Sequence, residues 1–115
     1  MTVRDMIHAY QREIRDEPDL QPDRGADILL KLAALYGSVL DEIRKADAEY
    51  SKVLLEMLEL EKTGIRAKIR AETSPEYQRK REAIDAKELA LELIRSLKYW
   101  IKSKAEEYQM SGRQP

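Results

Sequence analysis

Apolar residues recur at alternating steps of three and four along the middle of the chain, with no charged residue among them. The positions are Leu29, Leu32, Tyr36, Val39, Ile43, Ala46, Tyr50, Val53, Met57, Leu60, Gly64 and Ala67. This heptad spacing is typical of a helix that buries one stripe against another helix. It predicts a long helix over residues 23–71, with Asp23 as a plausible N-cap.

The segment before this helix reads as a second, shorter helix followed by a linker. Thr2 and Asp5 have the spacing of a capping box, which predicts a helix over residues 2–16. Residues 17–22 contain Pro18 and Pro22, each of which biases the preceding residue away from the helical region. We therefore predict a linker there.

The clearest helix start in the chain is Ser74-Pro75-Glu76, with a cap residue, a proline at the first helical position and an acid in the first turn. It predicts a helix over residues 75–109 and a frayed tail over 110–115. Apolar spacing continues in this helix. The matching seam is Ala83, Ala86, Ala90, Leu93, Leu97 and Trp100.

Together these elements predict an all-α fold in a single domain, residues 1–115. A short turn at 72–74 would make the two long helices antiparallel, in a coiled-coil-like helical hairpin. This register places Tyr50 near Leu97 and Ala46 near Trp100. The short first helix is expected to pack at that end, which is wider and aromatic. The core there would include Tyr36, Trp100 and Tyr108.

A second set of apolar positions lies beside the seams. The first helix, about 22 Å long at 1.5 Å per residue, cannot cover all of them. An uncovered stripe predicts self-association, most simply as a twofold dimer that forms a four-helix bundle. Alternatively, the first helix lies lower and covers the stripe, or the stripe stays partly exposed. The expected oligomer interface is Leu54, Leu58, Ile65, Ile84, Leu91 and Ile94.

Composition favours long helices with solvated faces, because 37% of residues are charged and 43% are hydrophobic. The chain contains no cysteine, which excludes disulfides and thiolate metal sites. No apolar run approaches the roughly 20 residues of a membrane span. We therefore expect a soluble, unprocessed, cytoplasmic protein without membrane contact.

The net charge is only −1, but residues 1–61 carry 8 bases and 14 acids, whereas residues 62–115 carry 13 bases and 8 acids. Many of the bases cluster around the predicted turn at 72–74, where they could follow a phosphate backbone while Tyr77 stacks on an unpaired base. The alternative is an ordinary solvated face, with Glu61 pairing to Lys87. The candidate contacts to nucleic acid or an acidic partner are Arg66, Lys68, Arg70, Tyr77, Arg79, Lys80 and Arg81.

Signals for catalysis and cofactors are weak. Acidic pairs such as Glu88 and Glu92 fit solvated helix faces, and the single histidine, His8, has no Glu-x-x-His partner motif. Neither a nucleophilic triad nor a glycine-rich phosphate loop occurs. We expect no cofactor and no enzymatic activity.

The stretches 69–82 and 88–99 resemble small all-helical accessory proteins of bacteriophages and prophages, some of which are encoded beside recombination and replication genes. The resemblance covers about the last half of the chain and carries no site residues. It implies a viral origin, residence in the host cytoplasm and contact with nucleic-acid machinery.

Three hypotheses follow. The first is a non-enzymatic interaction or scaffold protein that self-associates and engages another protein. The second is a nucleic-acid accessory factor that uses the basic cluster. The third, a metal or small-molecule site inside the bundle, would require inward-facing polar residues that the seams lack.

Overall fold

The computed structural model describes residues 1–113, and the described chain is all-α, as the sequence predicts. It contains α1 (Val3–Asp16), α2 (Pro22–Leu60), α3 (Gly64–Glu72) and α4 (Pro75–Arg113). Residues 114 and 115, the end of the predicted tail, lie outside the described residues.

The capping box at the start of α1 is confirmed. The backbone N–H of Asp5 donates to Oγ1 of Thr2 at 3.0 Å, and the backbone N–H of Thr2 donates to the Asp5 carboxylate at 3.1 Å. The first of these bonds satisfies a donor that the helix leaves unpaired, and the second, which the carboxylate accepts, favours its ionised form. The backbone and side-chain bonds to Thr2 accordingly lower the pKa of Asp5.

The predicted helix over residues 23–71 is wrong at both ends. It begins at Pro22, so Asp23 lies in the first turn rather than at the cap, and it ends at Leu60. It runs without interruption through Gly37, whereas the chain breaks just before Gly64. The break is stabilised by Thr63, which caps α3 by accepting the backbone N–H of Arg66 at 3.2 Å. A threonine side chain that bonds the backbone in this way competes with a continuous helix.

The start of α4 at Pro75 is confirmed, and its end is not. Ser74 accepts the backbone N–H of Tyr77 at 3.2 Å and donates to the carbonyl oxygen of Ala71. The helix continues to Arg113, so the prediction that it ends at Gln109 is wrong. Residues 110–113 hold no proline and extend the helix instead of fraying.

The contacts divide the chain into two compact units, and α2 and α4 contribute residues to both. The first unit combines residues 1–36 with the chain from Glu88 onwards, and the second is residues 37–87. The prediction of a single domain stays a prediction.

In the first unit, α1 packs through Ile7, which is fully buried, as are Ile28 and Leu32 of α2. Arg24 also joins α1 to α2, since its guanidinium donates to both carboxylate oxygens of Glu13, at 2.6 and 2.7 Å. This bidentate bond lowers the pKa of Glu13.

The predicted aromatic core of the first unit requires two corrections. The ring of Trp100 contacts Gly25, where an added Cβ would lie 2.7 Å from Cζ3, so its neighbour is not Ala46. Tyr108 is 82% exposed and does not belong to the core. Both errors follow from the assumed reversal at 72–74, which shifted the register of the two long helices.

In the second unit, α4 runs antiparallel to α2, in a register that puts the reversal elsewhere. Lys80 pairs with Asp47, and the ring of Tyr77 lies against Tyr50. The midpoint in sequence of each pair lies between residues 63 and 64. In an antiparallel hairpin, residues that face each other are equally far from the turn, so this midpoint marks the turn. The chain therefore reverses at the break 61–63, and α3 returns alongside α2 before α4 begins.

Both heptad seams otherwise agree with the observed burial. On α4, the described seam positions from Ala83 to Leu97 are all buried, and Trp100 is half-buried. On α2, every seam position up to Met57 is buried or half-buried. The pattern fails at Leu60, which is 70% exposed because the helix ends there.

Candidate interaction surface at the hairpin tip

Large apolar side chains are concentrated on the outside of the chain around the reversal. We call residues 54–70, which comprise the end of α2, the break and most of α3, the tip. Its exposed apolar side chains, with their exposed fractions, are Leu55 (62%), Leu58 (46%), Leu60 (70%), Ile65 (75%) and Ile69 (57%). Such a concentration of exposed leucine and isoleucine makes the tip the candidate interaction surface.

Helical periodicity explains why these side chains are left outside. In α3, Ala67 and Ala71 are fully buried, so Ile65 and Ile69, which are one turn apart, form a ridge on the opposite face. In α2, Leu55 and Leu58 are also neighbours on one face, whereas the buried Tyr50 lies on another. Both helices therefore cover their inner faces and leave a second apolar face without a cover.

The structure divides the predicted oligomer interface into three groups. Leu58 and Ile65 are exposed, as the prediction requires, and Leu54 is half-buried. On α4, Ile84 and Leu91 are half-buried. Ile94 is only 9% exposed, so its placement on an uncovered stripe is wrong. It belongs to the core of the first unit, where the seam residues Leu93 and Leu97 beside it are also buried.

The predicted basic cluster is largely neutralised within the chain. The Nζ of Lys80 lies 2.8 Å from the carboxylate of Asp47, and Arg79 lies 3.6 Å from Glu76 and 4.0 Å from Glu49. These acids come from α2 and from the first turn of α4. Because the chain reverses at 61–63, Arg79 and Lys80 lie along the arm of the hairpin and not at its end.

Tyr77 is half-buried and packs against another side chain. Its ring centroid lies 5.3 Å from that of Tyr50, with the ring planes inclined at 50°. The ammonium of Lys80 lies 4.7 Å from the centroid of the same Tyr50 ring, a cation–π contact. Burial, with a contribution from Glu72, raises the pKa of Tyr50. The cluster fastens α4 to α2, so the structure does not present Tyr77 as a free stacking platform.

Two further arginines of the predicted contact set are paired. Arg70 lies 2.6 Å from Glu61, whose side chain is only 16% exposed, and Arg81 lies 4.0 Å from Asp85. The suggested pair of Glu61 with Lys87 is therefore wrong, because the reversal brings Arg70 to Glu61 instead.

The remaining charges of the tip are exposed and unpaired. Within the part of the chain that the structure describes, Lys62, Arg66 and Lys68 form no ion pair within 4 Å, and neither do Glu56 and Glu59. Bases and acids at the tip therefore lie close in sequence without neutralising each other. Sequence reasoning singled out Arg66 and Lys68 and missed the two acids, which resembled ordinary solvated residues of a heptad flank.

A groove in the first unit has a volume of ≈ 820 Å³. The linker before α2 lines it together with Trp100 and Lys104. Its two basic side chains are already paired, Arg15 with Asp16 and Lys104 with Glu107. No sequence pattern indicates this groove, because the packing of the linker depends on the tertiary register.

Metal and membrane sites are not indicated among residues 1–113. No group of three or more His, Asp or Glu side chains there could hold a metal ion. None of the described helices is long and apolar enough to cross a membrane. No family model, curated protein or solved structure matches the chain.

Proposed function

We propose that this chain is a non-enzymatic helical interaction or scaffold protein that associates with itself through the apolar surface of the tip. The observation that supports the proposal is the exposure of Leu55, Leu58, Leu60, Ile65 and Ile69 within one short stretch of chain. The helices there have already buried their inner faces, so a second molecule is needed to cover the outer ones.

The gain from covering this surface is large enough to support association. Full burial of a leucine or isoleucine side chain contributes about 1.5–3 kcal/mol. Covering the exposed fractions of the five side chains on both copies would therefore contribute about 9–19 kcal/mol. This exceeds the roughly 8 kcal/mol of a micromolar complex, before the costs of association are subtracted. A dimer in the micromolar range is the expected scale.

Nucleic-acid binding is the alternative function, and the observed ion pairs weaken it. Among the described bases of the tip, Lys62, Arg66 and Lys68 are the exposed ones that form no ion pair within 4 Å. Three such bases would support weak binding that falls steeply with salt. An origin among phage accessory proteins and a cytoplasmic location belong to the same proposal, and both stay predictions.

The proposal is tested by measuring the molar mass with light scattering during gel filtration. The wild type is compared with a Leu58→Glu, Ile65→Glu variant over about 1 to 100 µM, a range centred on the expected affinity. We expect a wild-type dimer or larger assembly, and a variant that elutes as a folded monomer. The glutamates replace exposed side chains at helical positions, so they should leave the fold intact.

Leu30→Glu is the matched control, since Leu30 is an exposed leucine of α2 that lies outside the tip, at 73% exposure. It should associate as the wild type does. A monomeric wild type would contradict the proposal, as would equal loss of association in the control. Binding of the monomer to a fluorescent single-stranded oligonucleotide at low salt would favour the alternative function.

A further inference from the structure

The charges on both sides of the break are opposite to those that the helix ends favour. The C-terminus of a helix favours bases, yet the last turn of α2 has none and contains Glu59. The N-terminus favours acids, yet the first turn of α3 has none and contains Arg66. Further from the break, Glu56 precedes Glu59 by three residues and Lys68 follows Arg66 by two, so each helix carries a second charge of the same sign.

Four other helix ends in the described chain follow the usual rule. Asp5 occupies the first turn of α1 and Arg15 its last turn. Asp23 lies in the first turn of α2, and Glu76 in the first turn of α4. Among the helix ends described here, the reversed charges therefore occur at the two that meet at the tip. Local energetics disfavour them, and a local rule that is broken at one place often marks a functional site.

The four reversed charges are also available to a partner. Glu56, Glu59, Arg66 and Lys68 are exposed, and in the described chain none of them forms an ion pair within 4 Å. Their positions border the apolar side chains, because Glu59 lies one helical turn from Leu55 and Arg66 lies one turn from Ile69. The tip therefore consists of an apolar surface with acids on its α2 side and bases on its α3 side.

We infer that the partner is a second copy of the chain, joined at the tip by a twofold axis that places α3 of each copy on the end of α2 of the other. In this arrangement Glu56 and Glu59 of one copy face Arg66 and Lys68 of the partner subunit, and the same contacts recur by symmetry. The inference rests on the proposed self-association and specifies its geometry.

Self-complementarity is the reason to choose a second copy over a different protein. A twofold interface pairs one surface with itself, so the surface must carry both members of each interaction. The tip does so, since it supplies acids and bases beside a shared apolar surface. A surface built for a foreign acidic or basic partner would be expected to carry one sign of charge.

Charge reversal tests this arrangement with two variants. Glu56→Lys, Glu59→Lys leaves only bases at the four positions of reversed charge, and Arg66→Glu, Lys68→Glu leaves only acids there. Each variant alone should bind itself at least about tenfold more weakly than the wild type, because like charges would meet at every reciprocal contact. An equimolar mixture should restore association as a heterodimer, whose mass native mass spectrometry distinguishes from both homodimers.

The unfolding temperature of the same variants is a second measurement. If the native charges served only to stabilise the fold, reversing them would lower this temperature. Each reversal places charges where the helix ends favour them, so the dilute monomer should unfold about 2–4 °C higher than the wild-type monomer. Higher stability combined with weaker association would show that the native charges serve the contact between copies. Circular dichroism of each variant verifies that it is folded.

Glu88→Lys, Glu92→Lys is the control, as it reverses two exposed acids one turn apart outside the tip. It should associate as the wild type does. Reversed tip variants that dimerise normally, or a mixture that stays monomeric, would overturn the twofold arrangement. If the Leu58→Glu, Ile65→Glu variant is monomeric in that case, self-association itself still stands. A monomeric wild type would overturn both.

Discussion

Gly25 is a residue at which α2 and α4 approach closely in the first unit. It is buried, and the six-membered ring of Trp100 occupies the space that a side chain would need. The glycine is required by this close approach, since no described residue has a positive φ. Gly37 in the same helix has open space around it.

The pair Gly25→Ala and Gly37→Ala measures this close approach. Both variants gain about 1 kcal/mol of intrinsic helix stability, because alanine is the better helix former. Only the first places a methyl group 2.7 Å from the rim of a rigid ring. We expect Gly25→Ala to be less stable than Gly37→Ala by about 1–3 kcal/mol, the usual cost of overpacking. Urea unfolding monitored by circular dichroism gives the difference.

Tryptophan fluorescence supplies the local control for this comparison. Trp100 is the only tryptophan in the chain, so its emission should change in Gly25→Ala and stay the same in Gly37→Ala. Equal stabilities with an unchanged emission would contradict the packing of Trp100 on Gly25.

At the scale of elements, the sequence predicts which segments are helical but not where the chain reverses. Strong local signals, such as Thr2 with Asp5 and Ser74 with Pro75, indicate helix starts that the structure confirms. The middle of the chain contains two turn signals, Thr63-Gly64 and Thr73-Ser74-Pro75. The proline makes a reversal at the latter the expected one, but a proline at the first helical position marks only where a helix begins and does not fix the direction in which it runs.

The misplaced reversal accounts for most errors at the candidate site. It put Arg79 and Lys80 at the end of the hairpin, whereas they lie opposite Asp47 and Glu49 on its arm. It also left the break at 61–63 unpredicted, because the heptad spacing continues through Leu60 and Gly64 in the sequence. Which of two turns reverses the chain depends on the packing of alanine faces against neighbouring helices, which periodicity alone does not determine.

Spin labels at Ser51 and Gln78 test the position of the reversal within the second unit. Both residues are exposed, and the chain contains no cysteine that would compete for labels. A reversal at 61–63 places the two backbones on neighbouring helices, which are about 8–10 Å apart. A reversal at 72–74 would offset them by about 25 Å along the axis, at 1.5 Å per residue.

Electron paramagnetic resonance on the doubly labelled Ser51→Cys, Gln78→Cys variant should therefore show strong short-range coupling. Excess unlabelled protein removes contributions between copies, and the two singly labelled variants provide the background. A separation as large as the offset expected for a reversal at 72–74 would contradict the observed register.

At the scale of the whole molecule, charge does not oppose association. The net charge is −1, so two copies approach without strong long-range repulsion. The local charges at the tip matter more than the net charge. Their arrangement decides whether two copies attract or repel each other there. The paired charges elsewhere, such as Arg24 with Glu13, are already used within the chain.

Self-association at the tip also predicts that thermal stability depends on protein concentration. Because dimerisation stabilises only folded chains, each tenfold rise in concentration adds about 0.7 kcal/mol per chain once the dimer predominates. For a chain of 115 residues this corresponds to a rise in Tm of about 2–4 °C. Calorimetry from about 10 to 1000 µM, above the expected affinity, should show this rise in the wild type and in Leu30→Glu. The Leu58→Glu, Ile65→Glu variant should unfold at the same temperature throughout, because it has no dimer to lose. A wild-type Tm that does not change with concentration would mean that the exposed leucines and isoleucines of the tip do not join copies of this chain.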